Sequence, residues 1–569
     1  MASTETGQPR ESASAATRAA AWGCRDPLAG RPASPRPGRG RGPPRPQHRE
    51  GTPLAGLTGS KSTRSRLQVA TGMVLPPITH TGVTTMTIEL DTQHGTGPTT
   101  GSDTGTTPAA EALRGLIGGR VHLPGDPGYD AARLPWNVAI DQRPAAVAMP
   151  RTAAEVATVV RVAAEAGLRV APQSTGHNAG PLAAQGLDDV VLVRTSELGT
   201  AIADPVRGIV RVEGGAIWEP AVDAAAAHGK AVLHGSSPDV GIAGYSLGGG
   251  IGWYARKLGL ATNSLTAVEL VIGDGSLVRA DDTTNRELFW AIRGGGGSFG
   301  VVTALEFRMY DIETAYAGIL MWDLTRIEPV LREWAAWAPT APDEITTSFR
   351  AMRLPEMPDL PDFLRGRELA VIDGAVLGSD ERGEELLAGL RALRPELDTF
   401  ARVPAKSLVR LHMDPEGGAP FASDSAMLAS FPDAAVDAFI AEAGPDARTS
   451  LLMAELRQLG GALGRPHEGG GVLNRLDAQF VTFGGGIAAT PEIGAQAHAD
   501  AVRLTEALAP FDNGRQYLNF AENPVDTRSA YGSDVWTQLT GIRSAVDPHG
   551  IFAANHPVPR LYENGAPTA

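Results

Sequence analysis

Gln173-Ser174-Thr175-Gly176-His177-Asn178-Ala179-Gly180-Pro181 is a polar loop set directly after the β-like run Leu168 to Pro172. A chain of small residues turns tightly and aims several backbone N–H groups at one point, which holds a phosphate or pyrophosphate without cationic side chains. One imidazole, His177, stands in the middle of that cradle. Composition of this kind also makes ordinary surface turns capped by Ser or Thr, so the reading depends on the loops that accompany it.

Upstream, Pro108-Ala109-Ala110-Glu111-Ala112-Leu113 opens a short helix that stops near Ile117-Gly118-Gly119-Arg120, glycine being common where helices end. Trp136–Ile140 and Ala145–Met149 read as short strands, the second closed by Pro150. Thr152-Ala153-Ala154-Glu155 has the form of a capping box, and Val156, Val159, Val160 and Ala163 then share one helical face until Gly167. Downstream lie strands Asp189–Val193 and Ile209–Glu213, with Gly214-Gly215 turning the latter into a helix over Ile217–His228. Strands and helices in this mixed order predict an α+β domain.

The second glycine cluster is denser: Ser236-Ser237-Pro238-Asp239-Val240-Gly241-Ile242-Ala243-Gly244-Tyr245-Ser246-Leu247-Gly248-Gly249-Gly250-Ile251-Gly252-Trp253. Glycines at this density permit positive φ and close approach of backbone to a flat or anionic ligand. The cluster is neither a dinucleotide fingerprint opening a βαβ unit nor a P-loop, since no Gly-Lys-Ser/Thr closes it. A third cluster, Asn285-Arg286-Glu287-Leu288-Phe289-Trp290-Ala291-Ile292-Arg293-Gly294-Gly295-Gly296-Gly297-Ser298-Phe299-Gly300-Val301-Val302-Thr303, joins a short helix to a strand through four glycines. Three such loops, with a histidine at the first, point to a long ligand threaded along backbone.

These clusters, together with Tyr517-Leu518-Asn519-Phe520 and Asp547-Pro548-His549-Gly550-Ile551-Phe552, resemble the berberine bridge enzyme-like flavoproteins of the vanillyl-alcohol-oxidase (PCMH-type) superfamily. The resemblance covers roughly residues 110 to 560. It implies a PCMH-type FAD-binding domain in two α+β parts, 108–312, interrupted by a substrate domain built on an antiparallel sheet, 313–515, with the segment 516–562 returning to the FAD domain.

Carried over residue by residue, the resemblance implies that His177 bonds the flavin 8α carbon. It implies further cofactor contacts at Ser174, Thr175, Gly176, Asn178, Ser237, Val240, Gly241, Gly244, Gly249, Gly252, Val302 and Asn519. Some relatives carry a second attachment through a cysteine at the position of Ser237; a hydroxyl is a far poorer nucleophile than a thiolate, so FAD is expected to be covalent through His177 only. Val240 resembles a position near the flavin C4a where, in the family, side-chain size influences access of oxygen. The family's Tyr-x-Asn-Tyr is here Tyr517-Leu518-Asn519-Phe520, followed by Glu522. Tyr517 is the expected base or hydrogen-bond donor facing the flavin, and Asn519 is expected to bond the ring or hold the loop.

The remaining composition bounds the partners. Of 569 residues 42% are apolar and 20% charged, the balance of a soluble globular protein. No run approaches the ~18 apolar residues that span a bilayer. The first residues lack the basic-then-apolar pattern of a secretory signal, so a cytoplasmic location is expected and no membrane partner. Residues 1–70 carry twelve Lys and Arg against four Asp and Glu, a net +8, which leaves −22 on the rest of a chain of formal charge −14. That Pro-, Gly- and Arg-rich extension has too little apolar surface to offset ordering entropy, and 1–107 reads as a disordered tail, with Met73 and Met86 as alternative starts. The acidic body argues against nucleic acid as the main partner. The one cysteine, Cys24, lies in the tail, which excludes internal disulfides, multi-thiolate metal sites and a catalytic thiol in the body.

Within 313–515, Leu451–Leu459 and Ala478–Phe483 read as sheet strands and Glu384–Leu393 as a half-solvated helix. The function the resemblance implies is an FAD-dependent oxidoreductase. It would take hydride from a C–H next to oxygen or nitrogen of a small-molecule substrate, a sugar, alcohol or secondary metabolite, and pass electrons to oxygen. The alternatives are a dehydrogenase with another acceptor and a non-catalytic flavin- or carbohydrate-binding protein.

Overall fold

The computed structural model describes residues 106–357, 360 and 362–561. The extension read as disordered, with Cys24, lies outside the described residues apart from Thr106 and Thr107. Thr107 caps the helix Pro108–Glu111, its hydroxyl accepting from the Ala110 N–H at 3.1 Å.

Three sheets organise the described chain. The first runs Val121–His122, Ala146–Ala148, Val190–Arg194, Arg169–Gln173, the last three mutually parallel. The helix Ala153–Glu165 covers it with Val156, Val159, Val160 and Ala163, the face read from the sequence. The Thr152 hydroxyl accepts from Glu155 N–H at 3.2 Å, but the Glu155 carboxylate turns to Arg151 N–H at 2.7 Å and to Arg120, so only half of the capping box forms. The second sheet is antiparallel, in the order Ala201–Asp204, Ile209–Glu213, Val301–Arg308, Leu265–Val271, Leu277–Asp281.

The third sheet is the largest and also antiparallel. Its order is Leu397–Asp398, Thr314–Asp323, Glu368–Val376, Ile345–Arg353, Met453–Gln458, Phe480–Ile487, Phe421–Leu428, with Ala401–Pro404 also pairing Thr314–Asp323. Side chains alternate across a strand, and here the alternation is decisive. Phe349, Ile372, Leu456, Phe480 and Leu428 enter a core closed by Leu331 and Trp334, Val436 and Phe439, and Ala501 and Leu504 of the helices Ile327–Trp337, Asp433–Ala443 and Pro491–Ala507. Ser348, Arg350, Asp373, Glu455 and Arg457 face the other way, with Ser348 registered opposite both Asp373 and Arg457.

One expected strand is corrected. Trp136–Ile140 forms no strand; it is a strap with a single bridge, Asn137 to Ala419. Its backbone groups leave the neighbouring chain: Trp136 N–H donates to Thr175 at 2.8 Å, and Val138 N–H donates to Ala419 at 3.2 Å. The β-prone residues of this stretch therefore follow their partners rather than their propensity.

The C-terminal motif is anchored by a buried carboxylate. Asp547 accepts from Ile551 and Phe552 N–H at 2.9 and 3.0 Å and pairs with buried Arg543 at 2.5 Å, while Ile551 and Ala553 bracket Val170 of the first sheet through backbone bonds at 2.6 and 2.9 Å. Removing one partner of a buried pair leaves an uncompensated charge. Asp547→Ala is expected to lower stability by roughly 3–5 kcal/mol, read by denaturant unfolding; a loss below about 1 kcal/mol would show that this anchor does not hold the C-terminal return.

Candidate functional site

The histidine loop leaves the strand Arg169–Gln173 through Gly176, whose φ is +84° and whose absent side chain would meet Pro135 at 2.7 Å. Both the backbone angle and the contact demand glycine. Behind the loop, Gln142 and Gln173 exchange buried side-chain bonds at 2.8 and 3.2 Å. His177 Nδ1 lies 2.8 Å from the Thr175 hydroxyl, and the imidazole stacks on the Trp136 indole, centroids 4.1 Å apart and planes 16° from parallel. Burial lowers the His177 pKa to about 4, against the pull of Asp239 and Asp414, so the ring is neutral at physiological pH.

Ser174 and Thr175 pack on the second cluster, where a Cβ on Gly241 would lie 2.6 Å from Ser174 Oγ. The Ser237 hydroxyl donates to Asp239 at 2.8 Å. Val240 is half-buried against the core of the second sheet. Gly244 sits in the helix Ile242–Leu247 with its backbone exposed. Gly249 has φ +117° and faces the Tyr517 ring, and a Cβ on Gly252 would lie 1.9 Å from the His234 carbonyl. Val302 lies buried in Val301–Arg308, its carbonyl against Gly214.

The tyrosine loop closes on both clusters. Asn178 donates to the carbonyls of Leu518 and Ala521 at 3.0 and 3.1 Å. Asn519 donates to Tyr245 O at 2.9 Å and to Tyr517 Oη at 3.2 Å, and Gly250 N–H donates to the same Oη at 3.0 Å. Burial pushes the Tyr517 phenol up to about 12 although Asn519, Gly250 and Arg457 oppose it. The structure thus brings His177, the second cluster and Tyr517 together. It leaves Gly244 and Val302 outside that knot.

Above Tyr517 lies the polar face of the large sheet, where sequence reading identified no residue. Arg350, Asp373, His412, Glu455 and Arg457 form a chain of alternating charge with contacts of 2.6, 2.7, 3.2 and 2.8 Å. Ser348 bonds Asp373, and Arg457 reaches Ser236 at 3.3 Å and lies 5.1 Å over the Phe520 ring. Burial and Arg350 press the His412 pKa down, yet Asp373, Asp414 and Glu455 hold it up at about 9; Glu455 is held down at about 2 by Arg457 and His412 against its own burial. The signal for this roof was Glu455 and Arg457 two apart in an apolar strand, which places both on one face.

Among the buried hydrogen-bonding atoms without a protein partner, Asn178 Oδ1, Tyr245 Oη and Ser246 Oγ lie on these loops, while others such as Trp218 Nε1, Arg350 Nε and Trp536 Nε1 lie elsewhere. Buried polar groups usually find partners, and the three on the loops fit a polar heterocycle lying along the glycine clusters. Among the described residues no group of three His, Cys, Asp or Glu side chains is placed to hold a metal ion, and no helix is long and apolar enough to cross a membrane.

An FAD binding domain model matches residues 144–281. The chain is 30% identical over 224 residues to glucooligosaccharide oxidase of Sarocladium strictum, and 35% identical over 207 residues to (R)-6-hydroxynicotine oxidase of Paenarthrobacter nicotinovorans. These stretches are 38% and 36% of this chain and 45% of each relative, so the chain spans about half the length of the curated relatives it matches. Among solved structures, Physcomitrella patens BBE-like 1 has a TM-score of 0.69 at 22% identity, covering 80% of this chain and 100% of that one. The 6-hydroxy-D-nicotine oxidase of Arthrobacter nicotinovorans has 0.64 at 26% identity, covering 77% and 96%. Residues 144–281 are therefore an FAD-binding domain. The fold of the chain is that of the berberine bridge enzyme-like flavoproteins.

A histidine whose pKa is raised on folding contributes stability that is complete below its unfolded value and is lost as pH rises through the folded one. With His412 held near 9, the melting temperature is expected to fall as pH rises from about 6.5 to about 9. His412→Gln should be less stable at neutral pH and should flatten that fall; an equally steep fall in the variant would show that His412 is not the titrating group.

Proposed function

We propose that this chain is an FAD-dependent oxidase taking hydride from a C–H next to oxygen or nitrogen of a sugar, alcohol or secondary metabolite, with FAD attached through His177 alone. The observation that carries this reading is the joining of the histidine and tyrosine loops by Asn178 beneath a roof of buried charge. The oxidase names of the relatives support the choice of dioxygen as acceptor. We assign the FAD domain to 108–312 and 516–562, and the substrate domain to 313–515.

Bound FAD supplies the hydride acceptor and the route of two electrons to dioxygen. The chain's residues supply the rest. Backbone N–H groups of the glycine-rich loops and the side chains of Ser174, Asn178 and Asn519 would hold the cofactor. Neutral His177 offers a ring nitrogen for attachment. Ser237 is occupied by Asp239 and adds no second link. The Tyr517 oxygen accepts from Gly250 and Asn519, and these donors with the charge of Arg457 oppose the burial that holds the phenol up. Once its own proton has passed to solvent, the Tyr517 phenolate would take the proton of the substrate's hydroxyl or amine as hydride departs, and Arg457, 5.1 Å over Phe520, sets the field above it.

Mixing the purified protein with oligosaccharides and cyclic amines without oxygen, then admitting air, tests this reading. The flavin absorbance is expected to bleach with a substrate and return in air; a bleached spectrum that persists in air and returns only with an added acceptor makes the protein a dehydrogenase. Tyr517→Phe is expected to retain FAD and to slow reduction by roughly 10² to 10⁴. An unchanged reduction rate would move the base from Tyr517 to the roof.

A further inference from the structure

The strap Pro135–Ala139 lies across the histidine loop and is tied at both ends. On the FAD side, Trp136 N–H donates to the Thr175 carbonyl at 2.8 Å and Pro135 presses on Gly176. On the side of the large sheet, Ala419 N–H donates to Trp136 O at 3.0 Å, and the Asn137 amide exchanges bonds with the Phe421 backbone at 2.9 and 3.2 Å. Asp239 is the knot between them. One of its oxygens accepts both the Trp136 indole N–H and the Gly417 N–H at 2.8 Å, and the other takes the Ser237 hydroxyl at 2.8 Å.

Between these ties the imidazole of His177 has two constraints. Thr175 holds it in the ring plane through Nδ1, and the indole holds its face. Together they fix both side-chain torsions, and a nucleophile held within a fraction of an ångström of its target gains most of what proximity can give. The segment Gly417–Phe421 precedes and opens the strand Phe421–Leu428, so the seat is completed by chain from the large sheet rather than by the FAD lobe alone.

Resting on the reading that His177 carries the flavin, we propose that Trp136 is a positioning residue for that attachment. We propose also that Asp239 makes the seat depend on Gly417–Phe421 being docked. Attachment forms one C–N bond between an imidazole nitrogen and the 8α carbon, with loss of the imidazole N–H hydrogen and one methyl hydrogen. The two electrons and two protons released reduce one dioxygen to hydrogen peroxide. Trp136 forms no bond in that step; it sets where the imidazole nitrogen stands.

The test compares wild type with Trp136→Leu, Trp136→Phe and Asp239→Ala, each purified with its FAD. Three quantities are read: total FAD retained on gel filtration, the fraction of it that stays with acid-precipitated protein, and the melting temperature. Trp136→Leu is expected to retain FAD but to lower the attached fraction, at a fixed time after synthesis, by roughly tenfold. Trp136→Phe, which keeps a ring on the imidazole, is expected to restore most of it. Asp239→Ala leaves every ring in place, removes the acceptor that ties the indole, and is expected to fall between them, which keeps the test open if the leucine variant does not fold. Wild-type attachment in both Trp136→Leu and Asp239→Ala overturns the proposal. So does an equal loss in the leucine and phenylalanine variants, or a loss of total FAD with the attached fraction unchanged. Release of all flavin from the wild type would instead overturn the assignment of His177.

Discussion

The bonds from the Asn178 amide to the carbonyls of Leu518 and Ala521 join stretches of chain more than 300 residues apart, and the site depends on them. They set the histidine loop beside the tyrosine loop, and Asn519 and Gly250 then fix the Tyr517 oxygen from the same side. A loop rich in glycine has little of its own to hold its shape. Here the shape is imposed from outside, by Pro135 over Gly176, by Ser174 against Gly241, and by the C-terminal return that Asp547 anchors.

The roof obeys a different constraint. Four ionisable side chains on one sheet face, with His412 packed against them, cost much desolvation, and the alternation of sign from Arg350 to Arg457 is what offsets it. The apolar face of the same strands carries the helices and the packing. The sheet therefore separates two tasks by the two-residue period of its side chains: one face stabilises the fold, and the other presents charge toward the tyrosine loop.

The glycine clusters and His177 were legible because turn chemistry is local: the residues that need positive φ or close approach stand next to each other in the chain. The helix Ala153–Glu165 and the strand Ile209–Glu213 were legible for the same reason, from periodicity and β-branched residues. The strap was misread. Trp136 to Ile140 has the composition of a strand, and only its bonds to Thr175 and Ala419, one 39 and one 283 residues away, make it otherwise. The roof was silent for a like reason, since Asp373 and His412 gain their meaning from Arg350 and Glu455 across strand pairings that no local pattern reveals.

The account turns on one atom pair, an imidazole nitrogen of His177 and the flavin it is read to hold. Denaturing the purified yellow protein in acid, digesting it and weighing the peptide that contains His177 addresses that pair directly. The account predicts this peptide carrying the mass of FAD less two hydrogens, with the peptide containing Ser237 unmodified. An unmodified His177 peptide, with all the flavin left in the acid supernatant, would contradict it.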